Sequence, residues 1–172
     1  MTVDPSQLQI VQYPDPVLRG RTQDIPQVNG EVRAVAQRMI QLMHEAPGVG
    51  LAAPQVGLNW RLFVANATGE PADDRVFINP VLKDPSPQQD EAEEGCLSLP
   101  DIRAPIRRPT GITIVATDLQ GQRFTLSAEE LPARIWQHEY DHLDGILIID
   151  RMTPIDRMAN RKLIRELEKA GR

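Results

Sequence analysis

Residues 131–145, LPARIWQHEYDHLDG, limit what this 172-residue chain can fold into more than any other stretch. Leu131, Ile135, His138 and His142 recur at spacings of four, three and four, which puts them on one stripe of a helix. Ala133, Trp136, Tyr140 and Leu143 make a second stripe, and only Arg134, Gln137 and Asp141 remain for a narrow polar edge. A helix that is apolar nearly all round is a buried helix. The sequence predicts it from about Pro132 to Leu143, with Pro132 in the first helical position and Gly145 just past the end. Unpaired imidazoles on such a stripe would be costly, so the middle of the fold must give both histidines a partner.

The remaining elements are shorter. Asn29 is placed to cap a first helix from about Glu31 to Glu45, in which Val32, Val35, Ala36, Met39 and Met43 recur at helical spacing before Pro47-Gly48 ends it. The stretch GVGLAAPQVG (48–57) is too Gly-rich for a helix and alternates poorly for a strand. Strand-like runs follow at Trp60–Asn66 and Val76–Lys83, and the acidic stretch Asp84–Glu94 reads as a surface connection. Thr113–Asp118 and Arg123–Leu126 read as a hairpin around Gly121. A short strand at Ile146–Ile149 and a final amphipathic helix at about Ile155–Ala170 complete the reading. Mixed strands with few helices, without βαβ alternation, point to an α+β fold.

Composition narrows the function. The net charge of −5 disfavours a nucleic-acid binder and an anionic membrane surface, both of which need clustered Lys and Arg. One cysteine excludes an intramolecular disulfide framework. The N-terminus has no apolar h-region and no run approaches the ~18 apolar residues of a membrane span. The 15 prolines are scattered, with no repeat or linker between them. The expectation is one domain over residues 1–172, soluble and cytoplasmic.

His138-Glu139-Tyr140-Asp141-His142 has the pattern H-E-x-x-H. Positions i and i+4 are about 40° apart around a helix, so both imidazoles can reach one metal ion. Glu139 is turned about 100° from His138, where it could bond a water without ligating the metal, as a general base must. A catalytic metal site wants three protein ligands and an open position. His44, the remaining histidine, sits at the end of the first helix and reads as a surface or capping residue. Cys96 is either a small core residue or the third ligand. Gly95 and Glu94 beside it favour the ligand, the first by permitting close approach and the second as an acceptor for a ligand histidine.

Three segments in series, GVGLAAPQVG (48–57), EGCLSLP (94–100) and QHEYDHLDG (137–145), resemble the signature motifs of the peptide deformylases. YPDPVLR (13–19) is similar to the opening of bacterial members, and the resemblance runs from about Gln9 to Met152. It implies mostly antiparallel β-sheets packed around a central helix that carries the H-E-x-x-H motif, with an N-terminal and a C-terminal helix outside. It further implies removal of the formyl group from N-terminal formylmethionine. Carried over by motif, Cys96, His138 and His142 would ligate one divalent metal, with water in the fourth place. Glu139 would act as base and then acid. The oxyanion would be met by Gln55 and the backbone N–H of Leu97.

The same resemblance places an extended peptide against Val49, Gly50 and Gly95. Val49, Leu131 and Ile135 would line a methionine pocket or simply pack in the core. Arg103 and Arg108 would order Glu94, meet the substrate, or lie solvated. The resemblance implies Fe2+ in the cell, while a His2Cys set also suits Zn2+, Ni2+ or Co2+. The expected partners are nascent N-formylmethionyl polypeptides, with the ribosome near its exit tunnel as a candidate contact. Three other readings compete: a zincin-like metallopeptidase, a non-catalytic binder of formyl-Met N-termini, and a structural zinc domain, which would want a fourth ligand.

Overall fold

Strand β2 (Leu62–Ala65) is buried on both faces, and the rest of the molecule is layered about it. Its residues alternate between two cores: Leu62 and Val64 join one, Phe63 and Ala65 the other. The computed structural model describes residues 2–171. Strand β2 lies in a five-stranded antiparallel sheet ordered β1-β2-β3-β6-β7, with β1 at Gly50–Ala52, β3 at Arg75–Lys83, β6 at Gly111–Thr117 and β7 at Arg123–Glu129. Helix α1 (Gly30–Glu45) covers one face, packing Val32, Val35, Ala36, Met39 and Met43 onto Leu51, Leu62 and Val64. Its cap is the expected one, with Asn29 accepting the Val32 N–H at 3.0 Å.

The other face carries helix α2 (Glu130–Leu143), the segment read as buried. Ala133, Ile135, Trp136 and Leu143 pack on Phe63, Phe77, Ile112 and Ile114. Phe77 stacks on Phe63 with ring centroids 4.7 Å apart and meets Trp136 at 5.5 Å. The chain passes from β7 straight into α2 through Glu130, whose φ is +57°. The helix therefore begins two residues earlier than expected, and Pro132 falls within the first turn instead of opening it. No hydrogen bond is lost, because first-turn N–H groups have no helical partner. Gly145 ends the segment in the left-handed region, as its type suggests.

A separate two-stranded ribbon, β4 (Gln89–Cys96) paired with β5 (Leu99–Pro109), closes over α2. Residues 89–94, expected to be part of a surface connection, form an edge strand held by its pairing with β5, exposed at Gln89, Asp90, Glu91 and Glu93 but with Glu94 buried. Strand β5 went unseen because Pro100, Pro105 and Pro109 interrupt it. Prolines are tolerated where a strand pairs on one side only. Its Ile102, Ala104, Ile106 and Arg108 alternate inward.

The C-terminal part differs from expectation twice. Residues 146–149 contain no strand. They lead into a short helix α3 (Ile148–Arg151), whose Asp150 side chain accepts the Leu147 N–H at 2.8 Å. The final helix is two, α4 (Pro154–Ala159) and α5 (Arg161–Ala170), broken at Asn160. Asn160 turns its side-chain amide to the carbonyls of Asp156 and Arg103. Helix α5 packs on its own chain through Leu163, Ile164 and Leu167, beside the inner face of β5. Among the described residues no helix is long and apolar enough to cross a membrane.

Two glycines with similar backbone angles separate conformational strain from contact. Gly121 (φ +80°) faces open space, whereas a Cβ on Gly145 (φ +75°) would lie 2.5 Å from the Arg19 carbonyl oxygen. Gly121→Ala is expected to cost about 1 kcal/mol, and Gly145→Ala about 3 kcal/mol or more. Urea unfolding of both variants measures this, and equal midpoints would contradict it.

Candidate active site

The end of β4 and the C-terminal half of α2 bring three ligand-type atoms together. The Cys96 thiol and one ring nitrogen each from His138 and His142 all lie within 4.8 Å of one another. Cys96 Sγ is 3.4 Å from His142 Nε2. The two imidazoles, one helical turn apart, face each other with centroids 5.1 Å apart. His142 is buried, and His138 and Cys96 are half-buried at the wall of a cavity of about 520 Å³.

His138 is oriented by Glu94, whose Oε1 meets Nδ1 at 2.9 Å. That leaves Nε2 turned toward the cluster. Glu94 itself is saturated. Arg108 grips it twice, through Nε at 2.7 Å and Nη2 at 2.9 Å, and Arg134 Nη1 adds a contact at 2.6 Å. With His138 these fill the roughly four acceptor positions of a carboxylate. Arg108 also donates to Asp141 at 2.9 Å, and Arg151 closes the chain with two bonds to the same carboxylate.

Burial alone would raise the Glu94 pKa, but the bonds from His138 and Arg108 hold it well below the usual carboxylate range. Burial pulls His138 down, and its bonds to Cys96 and Glu94 more than reverse that. His142, with burial and the neighbouring charges of His138 and Arg108 acting together, is pushed well below the ordinary imidazole value. Burial drives Glu139 up to about 7, against the pull of His138.

Two buried polar atoms in this cluster have no partner among the described residues: Glu139 Oε2 and His142 Nδ1. One thiol and two imidazoles suit a borderline-soft divalent cation. An inward-facing His138 Nε2 and an unpartnered Glu139 oxygen beside it fit a metal site with an open position.

Gln55 enters from the short turn after β1, a 3-10 turn at Ala53–Val56. Its Oε1 accepts the Ala52 N–H at 2.9 Å, and its Nε2 lies 3.5 Å from Cys96 Sγ. Gly50 serves a purpose the sequence does not reveal. A Cβ there would fall 2.6 Å from Glu139 Oε1, so the bare backbone makes room for the carboxylate itself.

Comparison with known proteins bears on this arrangement. The sequence profile of polypeptide deformylase matches residues 7–158. The chain belongs to the peptide deformylase family. A peptide deformylase of Acidobacterium capsulatum is 43% identical over 164 residues, covering 94% of this chain and 96% of that one. The chloroplastic/mitochondrial peptide deformylase 1B of Arabidopsis thaliana is 44% identical over 164 residues, 94% of this chain but 60% of the plant protein. The chain thus spans less than two thirds of the plant relative and nearly all of the bacterial one. A crystal structure of the Plasmodium falciparum deformylase superposes with a TM-score of 0.91 at 36% identity, covering 94% of this chain and 96% of that one.

Measured against the family motifs, the structure gathers most of the expected residues around one cavity. Val49, Gly50, Gln55, Gly95, Cys96, Leu97, Arg103, Leu131, Ile135, His138 and Glu139 all line it. His142 lies behind the wall. Val49 and Leu131 are about half exposed at the rim, which favours pocket lining over core packing, while Ile135 is buried and does both. The two arginines part company: Arg108 is buried on Glu94, whereas Arg103 is exposed at the rim with its guanidinium carbon 3.3 Å from where a Gly95 Cβ would sit. His44, read as a surface or capping residue, is partly exposed in the last turn of α1, and its Nε2 meets Asp74 Oδ1 at 2.7 Å. Arg134, Asp141 and Arg151 were missed as supports. The one available signal was that Arg134 precedes His138 by four residues, on the same face of α2.

Arg108→Met would leave Glu94 and Asp141 short of their shared cation. A loss of about 3–5 kcal/mol is expected in denaturant unfolding, because one half of a buried pair is then uncompensated. A loss below about 1 kcal/mol, the scale of an exposed pair, would contradict the network.

Proposed function

We propose that this protein hydrolyses the formyl amide at the N-terminus of newly made polypeptides, releasing formate and a free methionine amine. The observation that carries the reading is the buried, unpartnered Glu139 Oε2 beside the Cys96–His138–His142 cluster, in a cavity shared with Gln55. Those three side chains would hold one divalent metal, and Fe2+ is the ion we propose in the cell. When bound, the metal supplies Lewis acidity that brings the pKa of a water toward neutrality.

The chain's own groups do the rest. Glu139 takes a proton from the attacking water on Oε2 and delivers it to the departing amine nitrogen, so the C–N bond breaks without expelling an anionic amide. Gln55 Nε2 and the Leu97 N–H meet the oxygen of the formyl group as negative charge develops there. Val49, Gly50 and Gly95 offer backbone to an extended peptide, and Val49, Leu131 and Ile135 receive the methionine side chain. Arg103 at the rim meets the following residues. Three ligands without a fourth among the described residues support a catalytic site over a closed structural one. We place this activity in a single domain, in the cytoplasm, on chains emerging from the ribosome.

Glu139→Ala is expected to fold and retain metal while formate release from an N-formylmethionyl peptide falls by at least about a hundredfold. Near-normal turnover by the metal-loaded variant would remove Glu139 as the base. Cys96→Ala should lose its metal to a chelator that leaves the parent protein loaded. A fully metallated, active C96A protein would exclude Cys96 from the site.

A further inference from the structure

Gln55 is held by more than its own turn. Its Oε1 is committed to the Ala52 N–H, which fixes which end of the amide faces the cavity. Its Nε2 then has two hydrogens to place. Ser98 Oγ, 3.2 Å away, receives one, and the other is aimed toward Cys96 Sγ and the cavity. Ser98 is completely buried and is not part of the cavity wall, whereas Gln55 is. Both residues are tied to the same N-terminal segment. Val11 N–H donates to the Gln55 carbonyl at 2.8 Å, and Tyr13 N–H to the Ser98 carbonyl at 2.9 Å. Two alternate residues of one extended strap thereby hold the turn after β1 and the β4–β5 turn side by side.

We infer that Ser98 is a positioning residue for the reaction: by accepting one Nε2 hydrogen of Gln55 it leaves the other directed at the oxygen of the bound formyl group. The terminal torsion of a glutamine side chain is broad, so Oε1 alone would leave the amide plane free to swing. With Ser98 in place the donor is fixed before substrate arrives, which is what makes such a donor effective. This inference rests on the reading of Gln55 as the formyl-oxygen donor.

A double-mutant cycle tests it. Ser98→Ala, Gln55→Ala and the double variant are loaded with nickel and assayed for formate release from a short N-formylmethionyl peptide, with metal content and unfolding midpoint measured alongside. Q55A is expected to lose about 10²–10³ in kcat. S98A should keep its metal and its KM while kcat falls about tenfold. In the Q55A background the same change should have almost no effect on kcat, because the group it positions is gone. A parental kcat in S98A overturns the inference, as does an equal fold loss in both backgrounds, which would mark Ser98 as general support. A Q55A protein as fast as the parent overturns the reading of Gln55 itself, and the inference with it.

Discussion

The Glu94 carboxylate is the point on which the site depends. Four donors converge on its two oxygens, two from Arg108 on β5, one from Arg134 and one from His138, both on α2. A buried anion with every acceptor position filled cannot turn without breaking a charge-assisted bond. His138 is thereby held with one nitrogen committed and the other facing Cys96 and His142. The same bonds fasten the β4–β5 ribbon to α2, so the strand that carries Cys96 and the helix that carries both histidines are located by one interaction. Asp141 and Arg151 extend the charge alternation to the surface.

The surrounding layers explain why such a network is sustainable. Paired buried charges add little net stability of their own against hydrophobic replacements. Here the apolar packing lies elsewhere, with α1 and α2 on opposite faces of the five-stranded sheet and a third core under β5. Helix α2 serves both purposes. Ala133, Ile135 and Trp136 anchor it to the sheet, while Arg134, His138 and Asp141 face the ribbon. The narrow polar edge is largely withdrawn from solvent: Gln137 and Asp141 are buried and hydrogen-bonded, and Arg134 is mostly covered.

What could be read in the sequence was local and periodic. The all-round apolarity of α2 gave its central place, H-E-x-x-H gave the histidine pair, and the resemblance of the EGCLSLP segment to a family motif brought Cys96 to them. The ribbon was illegible because β4 is an exposed acidic edge and β5 is broken by prolines, both of which mimic loops. Leu147, Ile148 and Ile149 suit a strand by side-chain type, whereas the segment turns helical with the Asp150 carboxylate accepting the Leu147 N–H. Ser98, Arg108 and Arg134 act across separations of 14 to 43 residues, and their types alone do not say which partner they meet. Gly50 is a related case, its bare Cα making room for a carboxylate that comes from a different element.

The most direct measurement of the central claim is the product balance of the metal-loaded protein on a peptide of several residues beginning with N-formylmethionine. The account predicts one formate and one new α-amine per turnover, with every bond between residues intact. Fragments cut between residues would make the site a peptidase, and a fully metallated protein that releases no formate would contradict the assignment outright.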